Sequence, residues 1–161
     1  MRKLNYEELI ENIANWIKNY VKGAKLSGIT VGLSGGIDSA VTTSLCIKAL
    51  GKENVRCVGL PCESISQDLE DAKIVAQSLG ISLDIVDLTS SYGAFVKSFP
   101  SNIMISKMAL ANIKPRLRMI TLYSIAQSTG HLVGGTGNRT ELAIGYFTKY
   151  GDIGKFFAFL H

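Results

Sequence analysis

Cysteine and histidine are scarce, with three and two residues in a chain of 161. Cys46, Cys57 and Cys62 are odd in number and form no C-x-x-C pair. They imply neither a zinc site nor a disulfide framework, and buried free thiols are expected. Long apolar runs are also missing. No segment reaches the length of a membrane span, and Met1–Lys25 has no uninterrupted apolar core that could serve as a secretory leader, so a cytoplasmic enzyme is expected. Charge of one sign is not concentrated either. The net charge of +4 favours anionic ligands, but the basic residues are scattered except around Lys114–Arg118, so no nucleic-acid stripe forms. That cluster is expected to be a solvated helix face. Internal repeats and low-complexity linkers are absent. What remains, 47% hydrophobic and 19% charged, fits one ordinary globular domain large enough for a real core.

Periodicity supplies the elements. Tyr6, Leu9, Ile10, Ile13, Trp16, Ile17, Tyr20 and Val21 recur at helical spacing behind an Asn5/Glu8 cap, and core cover is the favoured use of their aromatic content over a partner surface. A strand–helix alternation follows. Ile29–Leu33 leads into a helix over Ser39–Leu50, and Val55–Leu60 into one over Gln67–Leu79. Ser82–Leu88 leads into a less regular helical region from Tyr92 to about Ala109. A helix started by Pro115 near Arg116 runs to Ser128 and feeds a strand over His131–Gly134. Glycines after the helices and short apolar strands between them mark βαβ units. The fold class is therefore α/β, a doubly wound parallel sheet, preceded by the amphipathic helix.

The most informative stretch is Ile29–Val41, which reads as a strand breaking into Ser34-Gly35-Gly36-Ile37-Asp38-Ser39 at the start of a helix. Two glycines let backbone approach an anion, and the helix start offers unpaired N–H groups at the positive end of a dipole. Ser34 and Ser39 add hydroxyls, and Asp38 could hold a metal ion against the same anion. No lysine occupies the loop, which excludes a Walker A site. Gly32-Leu33-Ser34-Gly35-Gly36 also fits the G-x-S-x-G elbow of hydrolases. That chemistry needs a histidine at the C-terminal edge of the sheet, whereas His131 opens a strand at the opposite edge and His161 ends the sequence. A ligand-free tight turn is the other alternative. A second glycine-rich strand-to-helix turn is read at Thr136-Gly137-Asn138-Arg139-Thr140-Glu141. If the two strands are neighbours across the switch point, Asp38 and Glu141 face one crevice and make a natural Mg²⁺ seat. Taken alone, Glu141 is a first-turn carboxylate answering the helix dipole.

These residues resemble a known family. Ser34–Ser39 is similar to the pyrophosphate loop of the N-type ATP pyrophosphatases, of the adenine nucleotide α-hydrolase-like (Rossmann-like) fold. Ala111-Asn-Ile-Lys-Pro-Arg116-Leu-Arg-Met119 and the run from Gly135 to Asp152 resemble the ammonia-dependent NAD synthetases within that group, as do Gly59-Leu-Pro61, Gln67-Asp68 and Asp71-Ala72. The likeness reaches from the first helix to Asp152. It implies a ligase that adenylates the nicotinate carboxylate of deamido-NAD with ATP and amidates it with ammonia, giving NAD, AMP and pyrophosphate. It implies ATP contacts at Leu33, Ser34, Gly35, Gly36, Ile37, Ser39, Ala40 and Thr136. Mg²⁺ would sit on Asp38 and Glu141, and deamido-NAD on Arg116 and Lys149. It further implies a homodimer, with the interface expected in the region from Tyr92 to Ser128. Another adenylating pyrophosphatase, such as a GMP synthetase-like protein, is the alternative within enzymes.

Residues 1–154 are thus expected to form the synthetase-like domain, and 155–161 an atypical tail. Past Asp152 the family continues into further nucleotide contacts, while this sequence runs Ile-Gly-Lys-Phe-Phe-Ala-Phe-Leu-His161. The expectation is an early C-terminal end with Phe156, Phe157, Phe159 and Leu160 lacking a covering element. A nucleotide-binding fragment without turnover is the corresponding alternative function.

Overall fold

A computed structural model describes residues 5–151 and the backbone of 157–160. Met1–Leu4, residues 152–154 at the end of the expected domain, and residues 155, 156 and 161 of the expected tail lie outside the described residues. Helix α1 (Tyr6–Gly23) begins as expected, with Asn5 accepting the Glu8 amide at 3.4 Å. Only its later turns bury an apolar stripe: Ala14, Ile17 and Val21 are buried, while Tyr6, Leu9 and Trp16 remain exposed. The aromatic residues therefore cover less of the core than their spacing promised, because contact with the buried cluster starts only at Ile13.

Among the described residues five parallel strands follow: β1 (Gly28–Gly32), β2 (Val55–Gly59), β3 (Leu83–Ile85), β4 (His131–Asn138) and β5 (Phe157–Leu160). Their spatial order is β3-β2-β1-β4-β5, so the winding reverses between β1 and β4. Period-2 alternation sends Ile29, Val31 and the following Leu33 to one face, with helices α2 (Ile37–Leu50) and α3 (Ser66–Leu79). Val58 and Val133 face the other way, onto Leu122 and Ala126 of α5 (Lys107–Thr129) and Tyr92 of α4 (Thr89–Lys97). Both faces are covered, as a parallel sheet requires.

Several boundaries differ from the sequence reading: the strand expected over Ser82–Leu88 covers only Leu83–Ile85, and the helical region expected from Tyr92 begins at Thr89. Pro115 does not start a helix but sits inside α5, which begins at Lys107 behind a Ser106 cap accepting the Ala109 amide at 3.2 Å. The cap and the packing of both ends carry the helix through the one amide that proline lacks. β4 runs on to Asn138 instead of turning after Gly134, because β5 gives it a partner on its outer side. The backbone of 157–160 is that partner, with Gly134 opposite Phe157 and Gly135 opposite Ala158.

Cys46, Cys57 and Cys62 are free and buried, as expected. Burial pushes the Cys57 thiol up to about 11, and that of Cys46 further, which keeps both protonated at neutral pH. Among the described residues no helix is long and apolar enough to cross a membrane.

His131 stands at the N-terminal end of β4, away from the cradle, with Nδ1 3.2 Å from the Thr30 hydroxyl. This placement removes the hydrolase reading as far as His131 is concerned. Burial, and then the Arg56 guanidinium, push the imidazole below its ordinary value. The unfolded chain therefore binds a proton that the folded chain resists. The stability contributed by the neutral ring is complete above about pH 6.5 and drains as pH falls below it. Thermal melts at pH 7.5 and 5.5 should accordingly show a larger acid loss for the wild type than for His131→Gln; equal losses would refute this account.

Candidate functional site

The cradle lies where β1 ends. Gly35 takes φ +84°, a conformation that side chains disfavour, and its missing Cβ would lie 2.7 Å from Asp71 Cβ and 2.9 Å from the Ala72 amide nitrogen. The loop is thus pressed against the first turns of α3. Gly36 opens α2 with no side-chain cap, which leaves the helix start to an external anion. Ser39 is buried, and its hydroxyl donates to the Gly36 carbonyl at 2.8 Å while accepting the Ser34 amide at 3.2 Å. Its visible work is to hold the loop in shape. The Ser34 hydroxyl lies 3.2 Å from that of Ser39 and accepts the Gly36 amide at 3.3 Å, on an exposed residue. Leu33 is buried, Ala40 half-buried with its amide bonded to the Gly36 carbonyl, and Ile37 fully on the surface.

Adjacency of β1 and β4 brings the second glycine-rich segment beside the first. Asn138, the last residue of β4, caps α6 (Arg139–Ile144) in a reciprocal box. Its Oδ1 accepts the Glu141 amide at 2.9 Å, and its own amide donates to Glu141 Oε2 at 3.0 Å. The same side chain donates from Nδ2 to Asp38 Oδ2 at 3.4 Å. One residue therefore ties together the two carboxylates that the sequence paired. Asn138 was not singled out in the sequence, although Asn-x-x-Glu ahead of a helix is a legible capping signature.

A cavity of about 360 Å³ opens beside the cradle, lined by Leu33 and Ser34 after β1, Gly59 and Leu60 at the end of β2, and Thr136 of β4. Helix α5 closes another side with Pro115, Arg118, Met119 and Leu122, the i, i+3, i+4, i+7 stripe of one helix face. Asp68 and Arg118 are the charged side chains of the lining. A cleft of mixed polar and apolar lining at the C-terminal ends of the strands suits a planar base flanked by polar groups.

Next to the lining residues Pro115 and Gly151, Arg116 and Lys149 come together. Arg116 Nε donates to the Lys149 carbonyl at 3.3 Å, and Lys149 Nζ lies 5.1 Å from the Tyr150 ring centroid. Thr148, bonded to Asn112 Oδ1 at 2.9 Å, and Gly151, packed on Pro115, fasten this turn to α5. The basic cluster is not the solvated face expected of it. Lys114 pairs with Glu63 at 2.9 Å and lies over the Tyr92 ring, and Arg118 is bonded to the loop after β2. These acceptors lie far away in sequence, where no local signal could announce them.

The family described as NAD synthase matches residues 9–161. The chain belongs to the NAD synthase family. It is 49% identical over 151 residues to the NH(3)-dependent NAD(+) synthetase of Finegoldia magna, covering 94% of this chain and 61% of that protein. An NH3-dependent NAD synthetase structure from Campylobacter jejuni superposes with a TM-score of 0.90 at 35% identity, over 98% of this chain and 67% of the other. The NMN synthetase of Francisella tularensis is similar too, with a TM-score of 0.85 at 33% identity, over 93% of this chain and 62% of that one. This NAD synthase-family chain spans about three-fifths of the length of the curated relatives it matches, 61% for the first and 63% for the second.

Proposed function

We propose that this chain carries out the adenylation and amidation of deamido-NAD with ATP and ammonia. The observation that carries the reading is the junction of β1 and β4, where Asn138 ties Asp38 to Glu141 beside the glycine cradle and the cleft. The base of ATP would occupy the cleft against Thr136, with its phosphates on the backbone of Leu33–Ala40 at the open start of α2. Arg116 and Lys149, next to the lining residues Pro115 and Gly151, would take the anionic deamido-NAD.

The donor set fits a magnesium ion. Among the described residues no group of three or more His, Cys, Asp or Glu gathers, so a cage built from side chains alone is absent. Two carboxylates do suit Mg²⁺, which prefers a few carboxylates together with phosphate oxygens and water. Asp38 and Glu141 would hold it, and when bound it supplies neutralisation of charge among the phosphates. The remaining work falls to the chain. A nicotinate carboxylate oxygen attacks the α-phosphorus, and the bond to pyrophosphate breaks. Ammonia then attacks the acyl carbon, AMP departs with that oxygen, and the surplus proton passes to solvent. The attacking carboxylate is already ionised, so alignment by the cradle and the Arg116–Lys149 pair matters more than a general base. The reading carries with it a cytoplasmic setting and a homodimer formed through the region from Tyr92 to Ser128, where Met104, Met108 and Ile120 are exposed.

Incubating the chain with MgATP, deamido-NAD and ammonium should yield NAD, AMP and pyrophosphate in equal amounts. Nucleotide binding with no product would overturn the reading and leave a binding fragment. Product from the mononucleotide counterpart alone would instead align the chain with its NMN synthetase neighbour.

A further inference from the structure

Arg118 ties α5 to the segment that leads into α3, beside the Lys114–Glu63 ion pair at 2.9 Å. It stands on α5, on one face. Its Nε donates to the Leu60 carbonyl at 2.9 Å, one residue past the end of β2, and its Nη2 donates to Ser64 Oγ at 3.2 Å. Residues 60–65 form the strap that leads from β2 to α3, on the opposite face. Ser64 Oγ in turn accepts the Cys62 amide at 3.2 Å, and Glu63 takes φ +49°, so the strap is bent; beside α4 its Pro61 carbonyl accepts the Leu88 amide at 2.8 Å and its Glu63 amide donates to the Thr89 hydroxyl at 3.1 Å. The same strap, with Pro61 and Ser64, lines the cavity, and α3 beyond it carries the backbone against which Gly35 is packed. A planar guanidinium can serve two acceptors in fixed directions at once, which an ammonium cannot.

We propose that Arg118 is a positioning residue, a clasp that fixes the β2–α3 strap to α5 and thereby shapes the nucleoside end of the cavity. The clasp acts on the base and ribose side, leaving the phosphate cradle to the glycine loop. This division of labour rests on the nucleotide reading above, but the clasp itself can be tested without any nucleotide. Cys62 lies on the strap, is 1% exposed, and has its Sγ 3.9 Å from the Leu88 carbonyl. Cys46 and Cys57 are buried in the cluster on the other face of the sheet, away from the strap.

Two variants serve. Arg118→Met keeps the apolar stem and removes both donors; Arg118→Lys keeps the charge but not the fork. In both, alkylation of Cys62 by iodoacetamide, followed by mass spectrometry, should accelerate by roughly tenfold or more, while Cys46 and Cys57 stay at wild-type rates. Calorimetric titration of the same full chains with AMP should read roughly tenfold weaker binding, with magnesium pyrophosphate unchanged. An unchanged Cys62 rate overturns the clasp, and a uniform rise at all three cysteines overturns it in favour of general destabilisation. Rescue by Arg118→Lys, or weakened pyrophosphate binding, would make Arg118 a phosphate-facing cation and likewise overturn it. Faster Cys62 labelling with unaltered AMP affinity overturns the part assigned to the cavity. A wild type that binds neither probe refutes the nucleotide reading, while the labelling result still decides the clasp.

Discussion

Substituting Gly35 by alanine should abolish nucleotide binding, weakening ATP by about 100-fold or more, and should lower the melting temperature as well. Two penalties coincide at this position. The backbone sits at φ +84°, where a residue other than glycine costs about 1–3 kcal/mol. The added methyl would also fall 2.7 Å from Asp71 Cβ, 2.9 Å from the Ala72 nitrogen and 3.0 Å from the Asp68 carbonyl oxygen. Backbone on two sides leaves no flexible group to yield, so either the loop or the start of α3 must shift. A shift of an ångström is enough to misdirect N–H groups whose value depends on aim. Gly130→Ala is the control. That residue also has positive φ, +69°, but the nearest atom to its added Cβ is Ser27 Oγ at an ordinary 3.5 Å. It should lose stability of the same order from backbone strain alone and bind ATP normally. Equal ATP binding by Gly35→Ala and wild type would remove the cradle from the site.

The second large effect concerns charge without shape. Asp38→Asn and Glu141→Gln should each reduce magnesium-dependent turnover by roughly 10²–10³-fold, with little change in the thermal melt. Both replacements preserve the observed bonds. An amide at position 38 still offers an oxygen to Asn138 Nδ2, and glutamine at position 141 still accepts the Asn138 amide at the helix start. Only the negative charge is withdrawn. Steady-state assays over a magnesium series, beside melts of the same samples, read the two quantities separately. Normal turnover in either variant would strip that carboxylate of its role. A melt lowered by several degrees would recast Glu141 as a helix cap alone.

The parallel architecture was legible because α2, α3 and α5 are closed by glycines and the strands between them are short and apolar, signals that act within a few residues. The facing of Asp38 and Glu141 required only one further inference, that β1 and β4 are neighbours, and the strand order bears it out. What could not be read locally was set by distant partners. Arg118 finds its carbonyl 58 positions away in sequence, and Arg116 meets a backbone oxygen 33 positions on. Basic side chains one helical turn apart look alike on paper, and only tertiary packing decides which of them water keeps. Pro115 misled for a related reason. Its ring is compatible with a helix start, but Ser106 supplies a better cap nine residues earlier. Asn138 was legible as a cap and missed as a link, since its Nδ2 contact reaches across 100 residues.

The strand order also has a kinetic side. β1 is flanked by β2 and β4, and Ile29 lies opposite Leu132, more than a hundred residues later. Closing so long a loop is entropically slow, and contacts of this kind depress folding rates. During synthesis one edge of the central strand stays unpaired until the segment around residue 131 has emerged. In that interval its valine and isoleucine side chains are open to wrong pairings. Asp38 is made early but stays without Asn138 until the segment around residue 138 arrives. The cradle is therefore among the last parts of this chain to be completed, and slow or interrupted translation before β4 should yield aggregates rather than a partly working protein.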